Sequence, residues 1–213
     1  RLGGAAVTYG AGALNMINPI ATAFAEKSPL VVISGAPGAA EGNMGLGLHH
    51  QVKHLDSQRL VMQEVTAAQC VLDDADTAPT EIARVLTAAR DQSLPVYIEF
   101  PRDMVEVEVG AVPAYQFAQT DKAAAAACAS EVFELLSAAE QPAILLGVEV
   151  RRYGLEDKVA DLARKLAIPV ATSFMGRGIA AETDAPLIGT YLGLAGETDV
   201  RRAIEHSDGL LML

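Results

Sequence analysis

The sequence has few of the residues on which several common kinds of site depend. Its 213 residues include two cysteines and no tryptophan, and aromatic residues make up only 5%. Cys70 and Cys128 lie far apart and lack the spacing of a metal site, which favours two ordinary thiols of a reduced, cytoplasmic protein. The scarcity of aromatic side chains argues against a groove that binds sugars or single-stranded nucleic acid by stacking.

Basic residues are also scarce. Sixteen Lys and Arg residues against 27 Asp and Glu residues give a formal net charge of −11. Affinity for a phosphate backbone depends on Lys and Arg, so we expect no nucleic-acid partner. No apolar run in the sequence approaches the roughly 18 residues that a membrane span requires, so we expect no membrane partner either.

Short apolar runs instead alternate with segments of helical periodicity. The first series predicts strands at residues 5–8, 30–34 and 96–100, helices at 14–26 and 78–92, and a loop at 39–54. The second predicts strands at 143–148, 169–172 and 209–213, and helices at 155–166 and 200–205. This alternation is typical of α/β proteins and predicts two doubly wound, parallel-sheet domains.

Residues 105–122 differ in composition from both flanking segments. Alternating valines and glutamates are followed by Gly110, Pro113 and a mostly polar stretch, which is typical of a linker. We therefore predict a first domain at 1–104, a linker at 105–122 and a second domain at 123–213. Because the sequence starts without Met and ends in an apolar strand, we expect the first domain to be truncated N-terminally and the second C-terminally.

The adjacent His49 and His50 are the first candidate functional residues. They lie in a loop rich in Gly and Leu, with His54 four residues further on. Histidine titrates near neutral pH and is suited to proton transfer at the rim of a pocket. A metal site, for which only Asp56 is a further nearby ligand, and an ordinary solvated loop remain alternatives.

Glycines provide two further candidates. Gly10 and Gly12 lie between a predicted strand and a predicted helix, where backbone can approach a ligand closely. Asn15 stands where a dinucleotide-binding loop has its third glycine, so the residues alone favour a tight turn without a ligand, and a ligand loop remains the alternative. The loop at 175–178 also follows a strand and is either flexible or faces a ligand.

Together these segments resemble one family. Residues 8–15 (TYGAGALN) and 20–35 (IATAFAEKSPLVVISG) are similar to the pyrimidine-binding domain of thiamine-diphosphate enzymes. The pair His49-His50 narrows the resemblance to the pyruvate and indolepyruvate decarboxylases. Residues 95–102 (PVYIEFPR) and 149–156 (EVRRYGLE) look most like the bacterial phenylpyruvate and indole-3-pyruvate decarboxylases. The resemblance extends over essentially the whole chain.

The resemblance implies a partial pyrimidine-binding domain followed by a partial middle domain. It implies the non-oxidative decarboxylation of an aromatic 2-oxo acid to an aldehyde and CO₂, with thiamine diphosphate as cofactor. His50 would contact the substrate and relay protons, and His49 would hold that network in place. Thr8, Gly10 and Asn15 match the region beside the aminopyrimidine ring of the cofactor.

The resemblance also implies parts that this sequence does not contain. The family's glutamate that protonates the aminopyrimidine lies upstream of residue 8, and its Mg²⁺ ligands are expected in a C-terminal domain. We therefore expect this fragment to be inactive alone and its parent to form a homodimer or homotetramer. Another thiamine-diphosphate enzyme, of the acetohydroxyacid synthase or benzaldehyde lyase type, and a non-catalytic α/β nucleotide-binding or regulatory module remain alternatives.

Overall fold

The computed structural model describes residues 2–45, 47–117, 119–181 and 183–213. The chain forms two compact units, residues 1–117 and 118–213. Each unit contains a four-stranded sheet in which every pair of neighbouring strands is parallel, and among the described residues helices lie between successive strands except between β6 and β7 of the second unit. The predicted fold class, two doubly wound parallel-sheet domains, is confirmed. The boundaries predicted for the linker stay a prediction.

The first unit has strand order β1-β2-β4-β3. Its strands are β1 (Gly3–Val7), β2 (Leu30–Ala36), β3 (Ala68–Val71) and β4 (Val96–Pro101). Its helices are α1 (Ala11–Leu14), α2 (Ile17–Ala25), α3 (Ala39–Asn43), α4 (Ser57–Gln63) and α5 (Ala78–Gln92), and one 3₁₀ turn (Arg102–Met104) follows β4. The register aligns the carboxyl ends of β1, β2 and β4, because Val7 pairs with Ser34 and Ser34 pairs with Glu99.

Alternation along the strands builds a core on each face of this sheet. Successive strand residues point to opposite faces, so Val31 and Ile98 pack on one side while Val32 and Tyr97 pack on the other. The first face is covered by α5, which buries Val85 and Ala89 there. The second face is covered by α1, α2 and α4, which contribute Ala13, Ile20 and Met62. Helices on both faces are what the doubly wound pattern requires.

Two sequence predictions in this unit were wrong, and two of its elements were not predicted. The helix predicted at 14–26 is interrupted after Leu14, because the N–H of Asn15 is shared between two carbonyls and that of Met16 bonds three residues back to Ala13 at 2.9 Å. Such tightening ends a helix. The segment predicted as a loop at 39–54 contains α3, and no element was predicted where α4 and β3 lie.

The end of the predicted linker packs against the first unit. The Tyr115 hydroxyl donates a hydrogen bond to Asp91 Oδ1 at 2.5 Å. The Arg90 guanidinium lies over the rings of Tyr115 and Phe117, 4.3 and 4.6 Å from their centroids. Because both partners lie at the C-terminal end of α5, these contacts attach residues 115–117 to that helix.

The second unit has strand order β7-β6-β5-β8. Its strands are β5 (Pro142–Leu146), β6 (Val170–Thr172), β7 (Leu187–Thr190) and β8 (Gly209–Met212). Its helices are α6 (Lys122–Ala138), α7 (Glu149–Arg152), α8 (Glu156–Leu166) and α9 (Thr198–Glu205). The sequence predicted neither α7 nor β7. Leu136, Ile144, Val159 and Ala163 form the core on one face, and Ala143, Leu145, Val200 and Ile204 form it on the other.

No helix among the described residues is long and apolar enough to cross a membrane.

Candidate functional site

A cleft of about 640 Å³ opens at the carboxyl edge of the first sheet. In parallel α/β sheets this edge is the usual position of a ligand site. Most of its lining is apolar, and the polar side chains are few; the lining residues include Ala6, Val7, Thr8, Tyr9, Ile33, Glu41, His49, Phe100, Arg102 and Val105. A small set of polar groups on apolar walls is typical of pockets that bind small organic molecules.

The two histidines lie together at this cleft. Their ring centroids are 4.0 Å apart with an interplanar angle of 72°. His49 is among the residues that line the cleft and His50 is not, although both side chains are exposed. His50 has a φ of 67°, an uncommon conformation for a residue other than glycine. Such backbone is found preferentially at functional sites, where the surrounding structure holds it.

The glycine turn contacts the histidine loop directly. Gly10 has a φ of 73°, and a Cβ atom on it would lie 2.0 Å from the carbonyl oxygen of His50. The N–H of Ala11 donates to the same oxygen at 3.2 Å. Gly10 therefore allows the loop that carries the histidines to rest against the turn.

The predicted cofactor residues occupy different positions around this turn. Thr8 lines the cleft, and Gly10 lies behind it, buried. Asn15 is exposed at the end of α1 and is not among the cleft-lining residues. The structure thus brings Thr8 and His49 to the cleft, places Gly10 and His50 in contact beside it, and leaves Asn15 outside.

A buried polar network lies beneath the turn, and the sequence did not predict it as part of the site. Gln58, on α4, is 2% exposed and accepts the N–H of Gly10 at 2.5 Å through Oε1. Its Nε2 donates to Ser34 Oγ at 3.0 Å, to Glu99 Oε1 at 3.3 Å and to the Tyr97 hydroxyl. The Tyr97 hydroxyl donates in turn to Glu99 Oε1 at 2.9 Å.

The signals for this network differ in strength along the sequence. Glu99 is an acidic residue within the apolar strand β4, two positions after Tyr97 and therefore on the same face. That pattern indicates a buried carboxylate, which requires partners. Nothing in the sequence distinguishes Gln58, since neither α4 nor its orientation was predicted.

Burial sets the electrostatics of the network. It raises the pKa of the Glu99 carboxyl, although the hydrogen bonds from Tyr97 and Gln58 oppose that effect. It also raises the pKa of the Tyr97 phenol, and the neighbouring Glu99 adds to the shift. Both shifts favour the neutral form of each group, which lowers the cost of keeping them in the interior.

Tyr9 carries an unpartnered polar group in the wall of the cleft. Its hydroxyl is buried and has no hydrogen-bond partner among the described residues, while its side chain lines the cleft. Burial raises the pKa of this phenol, with smaller contributions from Glu99 and Glu41. Buried hydroxyls are nearly always hydrogen-bonded, so an unpartnered one in a cleft wall is a candidate contact for a ligand.

Acidic residues near this edge do not form a metal centre. A smaller cavity of about 260 Å³ is lined by Asp56, Asp73, Glu99 and Asp103 among others. Asp103 accepts the N–H of Ala39 at 2.9 Å, which uses part of its capacity. Within the described ranges, no group of three or more His, Cys, Asp or Glu residues is arranged to hold a metal ion.

Two family models match the chain. The one described as "Thiamine pyrophosphate enzyme, N-terminal TPP binding domain" matches residues 1–60, and the one described as "Thiamine pyrophosphate enzyme, central domain" matches residues 129–213. The chain belongs to the thiamine pyrophosphate enzymes. Its first match includes β1, the glycine turn and both histidines, so the cleft of this thiamine pyrophosphate enzyme lies mainly in the domain that is named for cofactor binding.

Curated relatives of this thiamine pyrophosphate enzyme are decarboxylases. The chain is 57% identical over 212 residues to an indole-3-pyruvate decarboxylase of Azospirillum brasilense, which covers 100% of this chain and 39% of that protein. It is 35% identical to a pyruvate decarboxylase of Aspergillus parasiticus, over 85% of this chain and 33% of that one. A pyruvate decarboxylase of Neurospora crassa is 30% identical, over 96% of this chain and 37% of that protein. The chain thus spans well under half the length of these relatives.

Proposed function

We propose that the protein containing this chain decarboxylates an aromatic 2-oxo acid, phenylpyruvate or indole-3-pyruvate, to an aldehyde and CO₂ with thiamine diphosphate. The observation that carries the proposal is the histidine pair beside the cleft at the carboxyl edge of the first sheet. The 57% identity to a protein named for indole-3-pyruvate supports the aromatic substrate. The adjacent histidines favour a decarboxylase over the acetohydroxyacid synthase alternative.

The residues at the cleft fit the pyrimidine half of this cofactor. A flat heteroaromatic ring needs apolar walls and a few hydrogen-bonding groups at its edge. Val7, Ile33 and Phe100 supply apolar wall, and the unpartnered hydroxyl of Tyr9 supplies a polar group. Thr8 lies in the same wall. When bound, thiamine diphosphate would supply the nucleophile and the electron sink that decarboxylation of a 2-oxo acid requires.

The protein's own part is to bind, exclude water and move a proton. Decarboxylation of a 2-oxo acid anion consumes one proton, which is delivered to the carbon that has lost CO₂. An imidazole is the side chain best matched to that transfer near neutral pH. We assign it to His49 and His50, of which His49 faces the cleft and His50 contacts its ring. The apolar walls favour loss of the carboxylate charge as CO₂.

The remaining parts of the proposal concern regions outside this chain. We propose that Mg²⁺ and the diphosphate are held by a further domain, and that the protein acts as a homodimer or homotetramer in the cytoplasm. We expect the 213-residue chain alone to be inactive. The direct check is to compare that chain with the longest native form under identical conditions, and turnover by the short chain would contradict the expectation.

The test of the activity uses the longest native form with thiamine diphosphate, Mg²⁺ and one 2-oxo acid at a time. Release of CO₂ and aldehyde from phenylpyruvate or indole-3-pyruvate faster than from pyruvate supports the aromatic assignment. Release of CO₂ from pyruvate alone would support the decarboxylase activity and overturn the assignment of an aromatic substrate. No CO₂ release from any of the three acids overturns the proposed function.

Substitution of the histidines tests their role. His49→Ala and His50→Ala should each lower kcat by about 10²- to 10⁴-fold, the contribution expected of a group that transfers protons. His206→Ala is the matched control, because His206 is exposed at the end of α9 in the second unit. Near-normal turnover in both variants would show that neither histidine takes part in the reaction. If kcat falls, the variant with the larger loss of kcat indicates which histidine donates the proton.

A further inference from the structure

Gln58 connects two parts of the first unit that are distant in sequence. Its side chain is buried on α4 and accepts the Gly10 N–H at 2.5 Å. The other end of the amide is held by Ser34 on β2 and by Tyr97 and Glu99 on β4. The glycine turn is therefore fixed to the middle strands of the sheet through one side chain.

The same turn holds the backbone of His50. The N–H of Ala11, the residue after Gly10, donates to the His50 carbonyl at 3.2 Å. The absence of a side chain on Gly10 permits this approach, since a Cβ there would lie 2.0 Å from that oxygen. A continuous series of contacts thus leads from Glu99 and Tyr97 through Gln58 and the turn to His50.

We propose that Gln58 is a positioning residue, which fixes the histidine pair through the Gly10 turn. The inference rests on the proposed function, because it takes the pair as the proton-transfer groups. An amide suits this position because it accepts a hydrogen bond through its oxygen and donates through its nitrogen from one rigid plane. Methionine has similar length and volume but can do neither, so Gln58→Met removes the connection and keeps the packing.

A purely structural role makes a different prediction. Loss of a buried hydrogen-bonded side chain lowers global stability, which raises amide exchange throughout the unit when the whole unit opens. Loss of a positioning contact raises exchange chiefly where the contact acted. The two roles are therefore distinguished by which peptides exchange faster, and by whether turnover falls in protein that is still folded.

Hydrogen exchange followed by mass spectrometry is the first measurement. It compares the wild-type holoenzyme with Gln58→Met and with Gln63→Met, an exposed position on the same helix. We expect faster exchange in Gln58→Met at residues 8–12 and 47–51, with β4 and the second unit unchanged. Unchanged exchange in both segments, or a uniform increase across the unit, would overturn the proposal. The Gln63→Met control should match the wild type.

Steady-state kinetics with phenylpyruvate, thiamine diphosphate and Mg²⁺ is the second measurement. A misplacement of the catalytic groups by about 1 Å costs roughly 100-fold, so we expect kcat of Gln58→Met to fall by about 10- to 100-fold. KM should change by less than about threefold, because the proposal assigns the pair chiefly to proton transfer in the reaction and the apolar walls to binding. An unchanged kcat, or a loss confined to KM, would contradict the positioning role.

Two provisions keep the inference separable from the proposed function and from misfolding. If the wild type releases no CO₂ from any 2-oxo acid, the proposed function fails, and the exchange data alone decide whether Gln58 holds the histidine loop. If Gln58→Met does not fold, Tyr97→Phe replaces it, because it deletes one partner of the amide and keeps the ring. Exchange at residues 8–12 and 47–51 should then rise by a smaller amount, and no rise would overturn the proposal.

Discussion

Both units contain a four-stranded parallel sheet, but the carboxyl edges of the two sheets carry different groups. In the first unit, this edge carries an open cleft with a histidine pair and an unpartnered tyrosine hydroxyl. In the second, the pairing of β5 with β8 continues at this edge, where the Gly147 N–H donates to the Leu213 carbonyl at 2.6 Å. Gly176 packs so closely that a Cβ on it would lie 2.4 Å from the Leu146 carbonyl oxygen.

Buried polar residues are distributed just as unequally. Among the described residues, Ser34, Gln58, Thr66 and Glu99 are buried in the first unit, while Thr172 is buried in the second. Buried polar groups cost free energy unless they are hydrogen-bonded, and a buried carboxylate costs most. The comparison teaches that two units of the same fold class do not carry the same chemistry. The first unit has a buried polar network beneath its cleft, and the described residues of the second unit have an almost entirely apolar interior.

The largest effect that would sharpen this comparison is expected at Gly10. In Gly10→Ala, the new methyl carbon would lie 2.0 Å from the carbonyl oxygen of His50. The backbone φ of 73° at this position is also one that residues with a side chain rarely adopt. The histidine loop must move, and we expect kcat to fall by about 100-fold or more. CO₂ release from phenylpyruvate measures the change, with circular dichroism to verify folding. Wild-type turnover would show that the contact between turn and loop is dispensable.

Gly209→Ala is the matched substitution in the second unit. A Cβ there would lie 2.6 Å from the Cβ of Ala139, so the packing of β8 against α6 must adjust. Overpacking of this kind costs about 1–3 kcal/mol of stability. We expect the urea midpoint to fall while kcat per folded enzyme is unchanged. A loss of kcat comparable to that of Gly10→Ala would break the distinction between the two units.

The sequence predicted more of the fold than of the site. Short apolar runs and helical periodicity located most strands and the long helices within a few residues, because strands buried on both faces are apolar throughout and helices on the sheet are apolar on one side. The helix α4 was not predicted because seven residues give too little periodicity, and β3 was not predicted because Gln69 interrupts its apolar residues. The glycines and the histidine pair were identifiable by residue type alone. The contact of Gln58 with Gly10 and that of Gly10 with His50 each join segments that are distant in sequence. No local sequence pattern predicts such contacts.

A smaller effect is expected from the pH dependence of stability. Burial raises the pKa of Glu99 in the folded protein above its ordinary value of 4.5. The stability linked to this group is therefore fully present below that ordinary value and is lost as the pH rises through the folded pKa. The amide introduced by Glu99→Gln does not titrate, so the variant should gain stability relative to wild type from about pH 4.5 towards neutrality. Urea midpoints across that range measure it, and parallel curves would contradict a buried, titrating carboxyl.

The smallest effect concerns the two thiols, one in each unit. Burial raises the pKa of the Cys70 thiol to about 11, whereas Cys128 is exposed on α6. Alkylation requires the thiolate, so iodoacetamide at about pH 8 should modify Cys128 in the native protein and Cys70 only after unfolding in urea. Peptide mass spectrometry identifies each site, and Cys128→Ser should abolish native labelling of the α6 peptide. Cys70 pairs with Ile98, next to Glu99 on β4. Rapid native labelling of Cys70 would therefore mean that the α5 face of the first sheet opens readily, which is the face opposite the Glu99 network.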